Sequence, residues 1–123
     1  MSDKPVAERL QVKGERRLAV VAAPEGLEAT IGVSRARADA ETAEVVLLFV
    51  RDRAGFDTAL PALLERITPT AILWLAYPKL TSTHAGDLNR DTLRAAVLAL
   101  GLDTVSQIAI DHDWSALRLK RLG

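Results

Sequence analysis

Thr70-Ala-Ile-Leu-Trp-Leu-Ala-Tyr-Pro-Lys79 decides how this chain folds. Ala71 to Ala76 is an unbroken apolar run of strand length, the pattern of a strand covered on both faces. Pro78 has no amide hydrogen to donate to a ladder, so the strand is expected to stop there, just before Lys79. A hydroxyl-rich loop follows (Lys79, Thr81, Ser82, Thr83, His84), and then a helix with legible ends. Strand, polar loop and helix form the unit whose loop holds ligands in open α/β sheets.

Working outward, two more segments read as strands buried on both faces. Arg17 to Ala23 is apolar and β-branched at its centre, and Glu44 to Val50 is apolar without alternation. Pro24 ends the first and opens a short helix, about Pro24 to Ile31, with Gly32 beyond it. Val33 to Arg37 is a candidate short edge strand. Asp52 is placed to cap a helix over Arg53 to Ile67, where Phe56, Leu60, Leu63, Leu64 and Ile67 recur at helical spacing. Pro61 falls inside that stripe and predicts a bend. Asn89 suits the next N-cap, Leu88 and Leu93 are spaced as a staple, and Gly101 ends the helix. Thr104 to Asp111 and Ser115 to Arg121 close the chain as an antiparallel hairpin, with Leu117 and Leu119 alternating against Arg118 and Lys120. The expected fold is a three-layer, Rossmann-like α/β domain over residues 1–123. Its sheet is mostly parallel, has 5–6 strands and ends in an antiparallel hairpin, and residues 1–16 form a polar lead-in.

Composition narrows the function. The chain has 123 residues, 49% of them hydrophobic and 26% charged, with a formal net charge of zero. Sixteen basic and sixteen acidic residues divide evenly along it, so no long-range field draws nucleic acid or an anionic membrane. Five aromatics (Phe49, Phe56, Trp74, Tyr77, Trp114) leave little for stacking bases. No apolar run approaches the roughly 18–20 residues that span a bilayer. There is no cysteine, which removes disulfides, thiolate metal sites and a thiol nucleophile together. A cytoplasmic protein with no nucleic-acid or membrane partner is expected.

The turn after the first strand, Ala22-Ala-Pro-Glu-Gly-Leu-Glu28, carries one glycine where a phosphate-cradling loop needs several. The loop Lys79 to Asp87 is the better candidate site. Lys79 supplies a cation, and Ser82, Thr83 and His84 supply donors beyond the end of a central strand. One reading is a pocket for a small anionic ligand. The other is that Lys79 and Asp87 pair to brace the loop while its hydroxyls satisfy backbone groups. Glu25 joins the candidates because a ligand between the loops after Ala23 and after Pro78 would meet it. Asp111-His112-Asp113 has metal-ligand residue types, but neighbours on a tight turn point apart, so a turn capped by its own aspartates is expected and no metal. Trp114 reads as a hydrophobic lid at the end of the sheet.

Val45 to Arg53, the Leu60-Pro-Ala-Leu63 step, Trp74 with Pro78-Lys79, Ser82, Asp87-Leu88 and Asp111-x-x-Trp114-Ser115-x-Leu117 together resemble a bacterial family of small proteins of unknown function. The Pro-Lys loop and the Asp-x-x-Trp-Ser hairpin are its most specific pieces. That family in turn resembles the Rossmann-like fold of class I methyltransferases, shortened in its first half. The resemblance implies the fold and supplies no activity. It leads to the expectation of a non-catalytic binding or interaction module that needs no cofactor. The alternative is a divergent S-adenosylmethionine-dependent methyltransferase, or another small-molecule enzyme using Lys79 and Asp87. Partners expected are a small anionic ligand or a protein, and a homodimer would cover a thin side of the sheet.

Overall fold

A computed structural model describes residues 10, 12, 16–24, 26, 27, 31, 37–80 and 86–122. The elements are β1 (Leu18–Val21), β2 (Val45–Phe49), α1 (Arg53–Arg66), β3 (Ile72–Pro78), α2 (Arg90–Ala99), β4 (Leu102–Ala109) and β5 (Trp114–Arg121). All five strands join one sheet in the order β1-β2-β3-β5-β4. The first two pairings, β1 with β2 and β2 with β3, are parallel. The other two, β3 with β5 and β5 with β4, are antiparallel. The sheet is therefore mixed rather than mostly parallel. The reason is the short link from Ile110 to Asp113, which returns the chain between β3 and β4 instead of along the outer edge.

Alternation along the strands divides the core in two. Val46, Leu48, Leu73, Leu75, Tyr77, Leu117 and Leu119 face the side on which α1 packs Phe56, Leu60 and Leu63 and α2 packs Leu93 and Val97. Val45, Leu47, Phe49, Trp74, Ala76, Trp114 and Ala116 face the other side. That second face is closed by Leu10, Val12, Leu27 and Ile31. The polar lead-in is thus less detached than its charges imply: Leu10 is 0% exposed and Val12 2%. Each large side chain buried this way contributes about 1.5–3 kcal/mol before entropy is subtracted.

Each helix starts where a side chain can replace a missing intrahelical partner. Asp52 Oδ1 accepts from the Gly55 amide at 2.7 Å, and α1 then runs without interruption through Pro61. At α2, Asn89 Oδ1 accepts from the Thr92 amide at 2.9 Å, while Thr92 Oγ1 accepts from the Asn89 amide at 3.1 Å. This reciprocal pair is a capping box, added to the buried Leu88 and Leu93 of the staple. Gly101 ends the helix with φ +82°, the left-handed conformation that a side chain would strain.

The first half of the chain is described only in part. Of the proposed edge strand Val33 to Arg37, only Arg37 is among the described residues, and it forms a single parallel bridge with Leu18. Ala38 donates to the Leu18 carbonyl at 3.1 Å, and a turn closed by the Asp39 carbonyl then leads straight into β2. The short helix after Pro24 is described at Leu27 and Ile31, both helical. No helix among the described residues is long and apolar enough to cross a membrane.

Candidate functional site

β3 ends at Pro78, whose register partner on β5 is Trp114, and the preceding pair is Tyr77 with Ser115. The Lys79 amide then donates to the Asp113 carbonyl at 2.7 Å. These contacts lay the Pro-Lys loop directly against the Asp-x-x-Trp-Ser hairpin, two stretches more than thirty residues apart in sequence. The hairpin turn is held from within, because Asp111 Oδ1 accepts from the amides of Asp113 (2.8 Å) and Trp114 (2.9 Å). His112 sits in that turn, and among the described residues no cluster of histidines and carboxylates could hold a metal ion. Trp114 is buried edge-on against Phe49, with ring centroids 5.3 Å apart.

Beside this junction lies an open pocket of about 330 Å³ lined by Tyr77, Lys79, Leu80, Asn89, Arg90, Gln107 and Ser115. Its described lining residues include two cations and no carboxylate. Arg90 is the first residue of α2, where a positive charge opposes the helix dipole. Neither the Lys79 ammonium nor the Arg90 guanidinium has an ion-pair partner among the described residues. Ser115 is the buried polar residue of the described core, 5% exposed, and its hydroxyl makes no hydrogen bond there. Gln107 Nε2 approaches the Tyr77 hydroxyl at 3.4 Å. Burial pushes the Tyr77 phenol above its ordinary value while the nearby Arg90 charge draws it back, so the hydroxyl stays protonated and can donate.

Asp87 has a different role from the one its spacing suggests. No Lys79–Asp87 pair forms among the described residues; Asp87 Oδ1 instead accepts from the Arg53 amide at 2.8 Å. Asp87 is thereby tied to the first turn of α1. That turn now receives two carboxylates, Asp52 at the Gly55 amide and Asp87 at the Arg53 amide, and their charge disfavours an incoming anion there. Of the other expected site residues, Ser82, Thr83, His84 and Glu25 lie outside the described residues, as does Thr81. Arg90, Tyr77, Gln107 and Ser115 were missed from sequence. The available signal was Arg90 itself, a cation at the unfavourable end of a well-capped helix.

At the carboxyl end of β1 the backbone turns through Ala22 with φ +61°, a conformation usually reserved for glycine. Past the Arg37 bridge, the first acid, Asp39, lies alongside β1, where it lines a shallow pocket with Val20, Val21 and Ala22.

No family model matches the chain, and no curated protein matches it either. Solved structures do. A ribosomal protein methylase from Lactobacillus delbrueckii subsp. bulgaricus superposes with a TM-score of 0.61 at 12% identity, over 95% of this chain and 75% of that one. A tRNA methyltransferase from B. subtilis gives 0.56 at 11% identity, over 96% of this chain and 64% of that one. A mitomycin 7-O-methyltransferase gives 0.50 at 8% identity, over 95% and 53%. This chain thus spans three quarters of the first and less than two thirds of the other two. At such identities the likeness concerns the fold alone: an α/β chain with a methyltransferase-like, mixed five-stranded sheet.

Proposed function

We propose that this chain is a binding module for a small anionic ligand, held at the carboxyl end of β3 by Lys79 and Arg90. The observation that carries the reading is the composition of that pocket: two cations without acidic partners among the described residues, beside the Ser115 hydroxyl. Two cations side by side without a counter-charge repel each other, and an oxyanion between them would relieve that repulsion. Lys79 offers a mobile point charge, and Arg90 a planar fork suited to two oxygens of one phosphate or carboxylate. Ser115 and the protonated Tyr77 complete the donor set, and Leu80, 68% exposed, gives the ligand an apolar neighbour. The fold is read here as a three-layer, Rossmann-like one in which Leu10, Val12, Leu27 and Ile31 stand for the outer layer of the second face.

A second reading, a divergent S-adenosylmethionine-dependent methyltransferase, is favoured by the three solved structures named above, each a methylase or methyltransferase. Against it stands the single glycine in the loop after β1. Calorimetric titration with S-adenosylmethionine separates the two. The binding-module reading expects no saturable heat; saturation tighter than about 1 mM would transfer the proposal to the enzyme.

A further inference from the structure

At the opposite end of the sheet, beside the amino end of β3, a second open cleft of about 560 Å³ runs between β3, β4 and β5. Arg118, Lys120 and Arg121 line it, with no carboxylate among its described lining residues. We propose that this cleft is a separate binding site for a small amphiphilic anion, one carboxylate, sulfonate or phosphate group on an apolar body.

Arg118 is the centre of the argument. It sits on an inner strand, flanked in register by Trp74 on β3 and Ser106 on β4, and it is half-buried. A guanidinium so placed normally has an acidic partner, because removing charge from water is costly. Among the described residues Arg118 has none. Asp103, the register neighbour of Lys120, is already engaged: its Oδ1 accepts from Arg94 Nε at 3.1 Å and from the Thr104 amide at 2.8 Å. Arg121 reaches only the Leu64 carbonyl, at 3.4 Å. Apart from Thr70, the other described lining residues are apolar, with Ile72 and the half-exposed Val105 among them. A lining of cations and hydrocarbon selects a ligand of matching two-part character. The volume is in the range of small-molecule sites, about 300–1,000 Å³. Lying at the other end of the strands, this site is independent of the one at Lys79 and Arg90.

The test uses the intact chain, 15N-labelled, titrated with 8-anilinonaphthalene-1-sulfonate and then with N-phenyl-1-naphthylamine, which has the same rings and no charge. Amide shifts are expected to gather on residues 70–73, 105 and 118–121. Affinity for the sulfonate is expected to fall about tenfold or more in Arg118→Gln, and the neutral probe to bind at least about tenfold more weakly than the sulfonate. Should Arg118→Gln fold poorly, the exposed Lys120→Gln serves instead, with a loss of about threefold expected. Shifts elsewhere on the surface, equal affinity for the two probes, or unchanged affinity in the variants would overturn the proposal. Co-sedimentation with phosphatidylglycerol vesicles at an affinity matching that for the sulfonate would also overturn it, by assigning the cleft to a lipid surface.

Discussion

Trp74 Nε1 donates a 2.8 Å hydrogen bond to the Leu10 carbonyl, across 64 positions of sequence and in the buried interior. The bond ties the N-terminal segment to the strand at the middle of the sheet. Trp74→Phe removes the donor, leaves that carbonyl unsatisfied and opens a small void. A loss of about 2–4 kcal/mol is expected, read from urea unfolding. A loss under about 0.5 kcal/mol would mean that the segment is not held there.

The Asp87 carboxylate and the Arg53 amide join the loop after β3 to the helix after β2. Asp87→Ala is expected to cost about 1 kcal/mol, the ordinary worth of a side chain satisfying an open helix N-terminus. Asp87→Asn keeps an acceptor and should lose less. Were the carboxylate paired with Lys79, both changes would free that cation and strengthen anion binding; the geometry instead predicts little effect from either on affinity.

Acid stability has a legible contributor. The Arg17 side chain, bonded to Glu44 at 2.9 Å, holds the Glu44 carboxyl down at about 2, from an ordinary 4.5. A depressed carboxyl stabilises the fold above its unfolded value and loses that contribution as pH falls through the folded one. Stability should therefore decline between pH 4.5 and about 2. Glu44→Gln should flatten part of that decline. Both side chains are more than two-fifths exposed, so added salt should shrink the effect. Glu41 beside Arg66 and Asp103 beside Arg94 are lowered as well and act in the same direction.

Ala22 occupies a left-handed turn, φ +61°, that disfavours any side chain by about 1–2 kcal/mol. Glycine there removes the strain but adds about 0.4–1 kcal/mol of unfolded-state entropy. Ala22→Gly is expected to be neutral to stabilising by up to about 1 kcal/mol, opposite to the usual effect of glycine at the end of a strand. Thermal denaturation of the variant reads the sign.

Much of the fold was legible because its signals are local. The apolar runs around Leu47 and Trp74, the caps at Asp52 and Asn89, and the stop at Gly101 each depend on a few adjacent residues. The burial of Leu10 and Val12 was not, since charged neighbours hide a contact made with a strand sixty residues away. The contact of Asp87 with the Arg53 amide was not legible, because spacing along the chain does not reveal which helix end lies nearby. The candidate site followed the same rule. Lys79 was found from its loop, whereas Ser115 and Arg90 reach the pocket only once β5 inserts beside β3 and α2 lands against them.

The most direct measurement is an NMR titration of the 15N-labelled chain with inorganic phosphate near neutral pH. Saturable shifts are predicted at the amides of Tyr77, Lys79, Arg90 and Ser115, with affinity falling about tenfold or more in the Lys79→Met, Arg90→Gln double variant. The account would be contradicted if the double variant bound phosphate as well as the parent, or if the shifts gathered instead at the turn after β1.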